Sequence, residues 1–214
     1  MDFVSLDNFI RDIQEWHNQV AELWEQSEDY KNINLAKKLV KDVVDDGTQD
    51  YLEGYIFKHR AFLNQETAVY AVELGQRDYA CCKIESRVKN QNSILDKLAT
   101  YRKSGLSGRE SLNGEVPLKK CLNDLFGIRY IIEEKDIDLD GIEDHTKAVF
   151  HNLKVIKRDV RGYKGVHIYF QKNNYIFPWE LQIWRSEDEK SNKDLHHEYK
   201  QEYTKWEKES HEGG

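Results

Sequence analysis

The sequence is short of several features, and each shortage excludes a class of protein. Its 214 residues include only two prolines, which leaves room for long helices. Three cysteines, two of them adjacent, exclude a disulfide framework, so we expect reduced thiols. No apolar run approaches the ~20 residues that span a bilayer, and the first residues lack the basic start and apolar core of a signal peptide. We therefore expect a cytoplasmic protein without a membrane partner.

An excess of positive charge is also missing. The formal net charge is −7, which argues against a protein that coats nucleic acid broadly, because neutralising phosphates needs clustered Lys and Arg. A local basic patch is still compatible with this charge. The hydrophobic content of 39%, including 12% aromatic residues, indicates a folded chain rather than a disordered one.

The spacing of apolar residues predicts helices first and a sheet afterwards. Helices are predicted over residues 5–27, 33–45, 49–77, 90–103, 140–152 and 187–208. Strands are predicted over residues 81–87, 127–133, 154–160, 166–171 and 179–184, with a hairpin through 172–174 and a mobile loop at 103–117. The pattern predicts an α+β fold, a mixed sheet of about five strands flanked by helices. We expect one domain over 1–214, with a helical amino-terminal region (1–78) and a catalytic core (79–208).

Four polar residues at regular spacing follow the first predicted strand. Arg87 and Lys89 stand at the strand end, and Ser93 and Lys97 share one face of the next helix at i, i+4 spacing. A helix start flanked by cations can hold a triphosphate. The alternative is a solvated basic helix face.

Two carboxylates stand at or within predicted strands. Asp124 precedes the strand that carries Arg129, and a strand end is a common position for a Mg²⁺ ligand. In the last strand Glu180 and Gln182 alternate with apolar residues and therefore share a face. Glu180 can bind Mg²⁺ or accept a hydroxyl proton, and Gln182 can hydrogen-bond a nucleobase. The alternatives are a turn cap at Asp124 and an ordinary solvent-facing strand at Glu180.

A tight turn and the last helix supply candidates for binding a second ligand. Tyr163 follows Gly162 in the turn and offers a ring on which a base can stack, and His167 can donate to phosphate. His196 and Lys200 lie one helical turn apart and can contact another phosphate. The alternatives are a structural turn and a solvated helix face.

Together these segments resemble the synthetase domain of the RelA/SpoT family, whose members make guanosine tetra- and pentaphosphate. The resemblance covers roughly residues 80–202 and rests on five segments in family order. They are R-x-K-x3-S-x3-K at 87–97, D-L-x-G-I-R at 124–129, G-Y-x-x-x-H at 162–167, E-x-Q-I at 180–183 and H-x-x-Y-K at 196–200. Without a histidine–aspartate hydrolase domain, the chain is similar to the small single-domain synthetases.

The resemblance implies a nucleotidyltransferase-like synthetase fold and transfer of the β,γ-pyrophosphate of ATP to the 3′-hydroxyl of GDP or GTP, with release of AMP. It implies that Asp124 and Glu180 are catalytic and hold Mg²⁺, and that Glu180 also activates the hydroxyl. The implied ATP contacts are Arg87, Lys89, Ser93, Lys97 and Arg129. The implied acceptor contacts are Arg161, Tyr163, His167, Gln182, His196 and Lys200.

The turn before Tyr163 departs from the family pattern, because Arg161 stands where Asn is usual and a nearby proline is absent. Some small synthetases of the family are toxins that pyrophosphorylate the 3′ CCA end of tRNA, an acceptor that would favour extra cations beside Tyr163. The cations near this turn are Lys154, Lys157, Arg158, Arg161 and Lys164, and a second set is Lys37, Lys38 and Lys41. The guanosine nucleotide and tRNA therefore stay open as acceptors, and the toxin alternative would add an antitoxin protein as a partner.

Two other classes of function remain as alternatives. A non-catalytic nucleotide- or partner-binding module would require the loss of a metal carboxylate or a phosphate-binding cation, and both kinds of residue are present. An unrelated nucleotidyltransferase would release pyrophosphate rather than AMP. Exposed aromatic residues and polar helices are compatible with a homo-oligomer.

Overall fold

A five-stranded mixed sheet lies at the centre of the computed structural model, which describes residues 3–43, 51–76, 82–104, 114–134 and 137–195. Its strands are β1 (Cys82–Val88), β2 (Phe126–Ile132), β3 (Lys154–Val160), β4 (Tyr163–Phe170) and β5 (Trp179–Arg185). Their order across the sheet is β1-β2-β5-β4-β3. Strands β2 and β5 are parallel, and the other neighbouring pairs are antiparallel. The expected α+β fold with a mixed five-stranded sheet is confirmed.

Helices precede, interrupt and follow the strands. They are α1 (Phe3–Glu25), α2 (Tyr51–Gln76), α3 (Gln91–Ser104), α4 (Leu118–Cys121), α5 (Leu139–Val149) and α6, which is described over residues 186–195. The apolar spacing predicts all of these except the single turn of α4. Most of the predicted loop 103–117 and the second half of the predicted last helix lie outside the described residues. Within the described ranges, no helix has the length and apolar content to cross a membrane.

One face of the sheet is apolar and packs against α1. Phe126 of β2 and Trp179 of β5 are neighbours in the sheet, and Trp16 of α1 meets both rings edge-on, at centroid distances of 5.1 and 4.7 Å. Phe9, two turns earlier on α1, lies 4.7 Å from the ring of Tyr130. An amphipathic helix buries its apolar stripe in this way, and each such side chain stabilises the fold by roughly 1.5–3 kcal/mol.

The helix predicted over residues 33–45 is wrong, and the described part of this segment is irregular with one 3-10 turn, Val40–Asp42. The Asn34 side chain accepts hydrogen bonds from the backbone N–H groups of Ala36 and Lys37. The backbone N–H of Val40 donates to the carbonyl of Val116 at 2.8 Å. Apolar residues in this segment are buried as the pattern requires, but local side-chain bonds and a partner segment satisfy the backbone instead of a helix.

The turn between β3 and β4 is tighter than the sequence suggests, because β4 begins at Tyr163 rather than at residue 166. Val160 pairs with Tyr163, and the two residues between them have positive φ angles, 53° at Arg161 and 90° at Gly162. Two central residues with positive φ are typical of a type I′ hairpin turn, which matches the twist of the strands. Arg161 therefore occupies a backbone conformation that favours Asn or Gly.

Candidate active site

The sheet face opposite α1 carries the predicted polar residues in two rows. The first row crosses β2, β5 and β4 as Gly127, Glu180 and Tyr169. The second row crosses the same strands as Arg129, Gln182 and His167. Glu180 and Gln182 are only 6% and 7% exposed, so β5 is not an ordinary solvent-facing strand. The strand alternation thus places both side chains on one buried polar face, as the sequence predicts.

Two clefts open on this face and meet at the same side chains. The Arg87 cleft, about 270 Å³, lies over β1 and β2 and includes Arg87 and Arg129. The Tyr163 cleft, about 570 Å³, lies over β4 and β3 and includes Tyr163 and His167. The lining that the two clefts share consists of Asp124, Glu180 and Gln182. Ligands in the two clefts would therefore meet at a pair of carboxylates.

Glu180 accepts hydrogen bonds from three neighbours. Tyr169 donates its hydroxyl to Oε1 at 2.7 Å, His167 Nδ1 lies 2.9 Å from the same oxygen, and Gln182 Nε2 donates to Oε2 at 2.7 Å. Burial acts to raise the pKa of Glu180, but the bonds from His167 and Tyr169 outweigh it, and the pKa is lowered. Burial raises the pKa of Tyr169, so its hydroxyl stays protonated and can donate. A buried carboxylate is thus kept ionised.

A chain of hydrogen bonds approaches Glu180 from Trp184. The indole Nε1–H of Trp184 donates to the Tyr163 hydroxyl at 2.9 Å, and that hydroxyl lies 2.8 Å from His167 Nε2. An indole nitrogen is only a donor, so the Tyr163 oxygen accepts from Trp184. An ionised carboxylate only accepts, so Nδ1 of His167 carries the proton that is donated to Glu180. In a neutral His167, Nε2 is then an acceptor, and the Tyr163 hydroxyl donates to it.

Asp124 lies between two lysines. Lys89 Nζ is 2.6 Å from Oδ2, and Lys97 Nζ is 2.9 Å from Oδ1. Burial alone would raise the pKa of Asp124, but the charges of Lys97 and Lys89 hold it well below its usual range. Lys97 comes from α3 and Lys89 from the segment between β1 and α3, so the cation spacing in the sequence places both ammonium groups on one carboxylate.

Arg129 links the Arg87 cleft to the shared residues. Its guanidinium lies over the Trp184 ring at 4.4 Å, and its Nε donates to Gln182 Oε1 at 3.3 Å. Gln182 therefore bonds Arg129 through its oxygen and Glu180 through its nitrogen, while its expected contact with an acceptor base stays a prediction. Gly127 leaves this cleft open, since a Cβ built there would meet nothing within 4 Å.

The donor set suits a Mg²⁺ ion that is shared with a substrate. Across the described residues, no group of three or more His, Cys, Asp or Glu side chains could hold a metal. Mg²⁺ commonly uses one or two carboxylates, with substrate phosphates and waters completing the octahedron. Asp124 and Glu180 are two such carboxylates in one shared lining, and each carboxylate has about four acceptor positions, more than the hydrogen bonds described above occupy.

The remaining predicted site residues lie outside the lining of the two clefts or outside the described residues. Ser93 lies in the first turn of α3, where its backbone N–H donates to Asn90 Oδ1 at 2.7 Å, and it is outside the lining of both clefts. Arg161 is exposed at the tip of the β3–β4 turn. His196 and Lys200 lie outside the described residues.

The basic cluster predicted beside Tyr163 is divided between two faces of β3. Lys154 and Arg158 line the Tyr163 cleft, and Arg158 Nη2 donates to the Tyr169 hydroxyl at 3.0 Å. Lys157 instead pairs with Asp140 of α5, on the other side of the strand. The interpretation of Lys157 as part of this patch is therefore wrong, because consecutive strand residues point to opposite faces.

Sequence reasoning gave no role to two residues of this face. Tyr169 is two residues from His167, and Trp184 is two residues from Gln182, so each shares a face with a predicted site residue. The two-residue alternation of side chains along a strand would therefore have been enough to predict both residues.

The chain was compared with protein families, curated proteins and solved structures. No family model and no curated protein matches it. Small alarmone synthetase 1 from Bacillus subtilis is similar at 21% identity and a TM-score of 0.41, over 69% of this chain and 81% of that one. Small alarmone synthetase 2 from the same organism is similar at 18% identity and a TM-score of 0.35, over 70% of this chain and 79% of that one. The structure of small alarmone synthetase 1 from Bacillus subtilis bound to AMPCPP is similar at 14% identity and a TM-score of 0.35, over 71% of this chain and 74% of that one.

Proposed function

We propose that this protein is an ATP-dependent pyrophosphokinase that transfers the β,γ-pyrophosphate of ATP to the 3′-hydroxyl of GDP or GTP and releases AMP. The observation that carries this proposal is the meeting of two clefts at Asp124, Glu180 and Gln182. A transferase with two nucleotide substrates needs such a meeting point, because the reacting atoms must come within contact distance. The motif resemblance supports pyrophosphate as the transferred group.

ATP is assigned to the Arg87 cleft. Arg87 and Arg129 present planar guanidinium groups that can stack on a base or hold phosphate with two hydrogen bonds. Lys89 and Lys97 supply two more cations beside Asp124, one of the two shared carboxylates. When phosphate oxygens take over these ammonium groups, the Asp124 carboxylate is released for another partner. Mg²⁺, which would be held by Asp124 and Glu180, neutralises phosphate charge when bound.

Glu180 is assigned as the general base. The acceptor 3′-oxygen forms a bond to the β-phosphorus, and the bond from that phosphorus to the oxygen bridging the α-phosphate breaks. AMP leaves with the electron pair of the broken bond, and the hydroxyl proton passes to Glu180. The three donors around Glu180 keep it ionised and fixed in direction before the acceptor arrives. Tyr163, in the other cleft, is assigned to stack on the acceptor base.

A tRNA 3′ end is a second candidate acceptor, and the Tyr163 cleft contains the observation that favours it. This cleft is about 570 Å³, against about 270 Å³ for the Arg87 cleft. Apart from Lys97, which pairs with Asp124, the cations in its lining are Lys120, Lys154 and Arg158. Such a concentration of positive charge on an acidic protein suits a polyanionic acceptor.

Product analysis tests this proposal. ATP labelled on its γ-phosphate is incubated with Mg²⁺, protein and either GDP, GTP or deacylated tRNA. Label in a guanosine polyphosphate supports the first acceptor, and label on tRNA alone supports the second. Transfer to none of them by protein that binds ATP would contradict the proposal and favour a binding module.

A matched pair of variants tests the general base. Glu180→Gln should lower the transfer rate by about two to four orders of magnitude, the usual contribution of a general base, while ATP still binds. Glu133→Gln makes the same change at an exposed position after β2 and should leave the rate unchanged. A Glu180→Gln rate within about threefold of the wild-type rate would remove Glu180 from this role.

A further inference from the structure

Trp184 lies between the two clefts and contacts a residue of each. It is fully buried, yet it lies on the polar face with Glu180 and Gln182 rather than in the apolar core. One face of its ring carries the guanidinium of Arg129, from the Arg87 cleft, at 4.4 Å. Its Nε1–H donates to the hydroxyl of Tyr163, from the Tyr163 cleft, at 2.9 Å.

The neighbouring strand is shaped to admit this indole. Gly165 of β4 lies beside Trp184, and a Cβ built on Gly165 would lie 2.8 Å from the indole Cδ1 and 3.1 Å from Nε1. Real Cβ atoms do not approach other atoms so closely, so any residue larger than Gly would displace the ring. The φ angle of Gly165 is not positive, and steric room is therefore the reason for glycine at this position.

We propose that Trp184 is a positioning residue that fixes Tyr163 for the acceptor through its indole N–H and supports Arg129 for ATP through its ring face. The inference rests on the proposed function for the identity of the two ligands. The two contacts use different parts of one side chain, which makes them separable by substitution. The N–H matters to the acceptor because it holds the Tyr163 hydroxyl, which in turn bonds His167 at 2.8 Å.

Two substitutions at Trp184 separate these contacts. Trp184→Phe keeps an aromatic face under Arg129 but removes the N–H, so the acceptor kcat/KM should fall by about tenfold while the ATP dissociation constant changes by less than about twofold. Trp184→Leu removes both, and it should also raise the ATP dissociation constant by about three- to tenfold. Equal effects of the two substitutions on both ligands would overturn the proposal.

A double-mutant cycle with Tyr163→Phe distinguishes positioning from general destabilisation. If Trp184 acts through the Tyr163 hydroxyl, Trp184→Phe should reduce the acceptor kcat/KM by less than about twofold when Tyr163 is already Phe. A purely structural role would give the full tenfold loss in both backgrounds, and that result would refute the inference. Gly165→Ala, which displaces the indole, should weaken both contacts and so reproduce the Trp184→Leu pattern rather than the Trp184→Phe pattern.

A spectroscopic measurement tests the contact even if the wild-type protein transfers no pyrophosphate. The indole N–H signals of ¹⁵N-labelled protein are recorded, and Trp184 is assigned as the signal lost in Trp184→Phe or, if that variant does not fold, in Trp184→Leu or Trp184→Tyr. Tyr163→Phe should shift that signal and speed its exchange with solvent, leaving the other indole signals in place. An unmoved Trp184 signal would overturn the proposed contact. Absence of transfer from the wild type would count against the proposed function alone.

Discussion

Two buried histidines should make this protein sensitive to mild acid. His17 of α1 and His59 of α2 are 1% and 2% exposed. His17 Nε2 and His59 Nδ1 have no hydrogen-bond partner within the described residues. Burial is the main reason that the pKa of His17 is lowered from 6.5 to about 4 and that of His59 to about 3. Both are therefore neutral in the folded protein at neutral pH.

The direction and size of the change in unfolding free energy with pH follow from proton linkage. In the unfolded chain both histidines titrate near 6.5, so below that pH the unfolded state binds more protons than the folded state. Stability is fully present above pH 6.5, falls as the pH drops, and levels off below the folded pKa values. Between pH 7.5 and 5.0 each histidine should cost about 2 kcal/mol of unfolding free energy, or about 4 kcal/mol together. That is a large share of a typical total of ~5–15 kcal/mol.

Urea unfolding at pH 7.5 and 5.0, followed by circular dichroism, measures this loss. A double variant, His17→Asn with His59→Phe, removes both titrations; Phe keeps the stacking that His59 makes with Phe177 at 5.1 Å. Its loss of stability between the two pH values should be about 4 kcal/mol smaller than that of the wild type. His151→Asn, at an exposed histidine, serves as the control. A difference below about 1 kcal/mol between wild type and double variant would show that these two histidines do not cause the acid sensitivity.

Three further predictions concern the Arg87 cleft, the lysines of the Tyr163 cleft and the turn between β3 and β4. Arg87→Ala should raise the ATP dissociation constant by about tenfold in calorimetry, because it removes a charged phosphate or base contact, and an unchanged constant would remove Arg87 from the site. Reversing the charge of Lys120 and Lys154 should lower the rate of a tRNA reaction at least about tenfold more than the rate of a GDP reaction. Lys157→Glu, on the other face of β3, should affect the two reactions equally. Equal losses from the Lys120 and Lys154 changes would exclude a path for tRNA along these two lysines. Arg161→Asn should raise the unfolding free energy by about 0.5–1 kcal/mol, since Asn tolerates the positive φ of 53°, and a lower melting temperature would contradict the turn assignment.

Local patterning accounts for much of the fold and for the facing of the site residues. The alternation of residues 179–184 identifies β5 and places Glu180 and Gln182 on one face, because side-chain direction in a strand depends only on parity. The same rule would have separated Lys157 from Lys154 and Arg158, where closeness in sequence suggested a single patch.

What the sequence does not predict depends on contacts between distant segments. The bonds that surround Glu180 require β5 to lie between β2 and β4, and no local pattern specifies that strand order. The segment 33–45 has helical spacing, but Val40 is bonded to Val116, a residue whose position depends on the rest of the fold. In the segment 33–45 tertiary contacts override a local helical preference, whereas the strand order has no local signal at all.

We infer that the two clefts bring ATP and an acceptor to one pair of carboxylates for pyrophosphate transfer. Phosphorus NMR of a reaction with ATP, Mg²⁺ and GDP, or deacylated tRNA in place of GDP, follows both products of this transfer in one experiment. For pyrophosphate transfer we expect one AMP for each acceptor that gains a 3′-pyrophosphate, with formation of both products dependent on the acceptor and on Glu180. ADP or free pyrophosphate as the main product in place of AMP would contradict it.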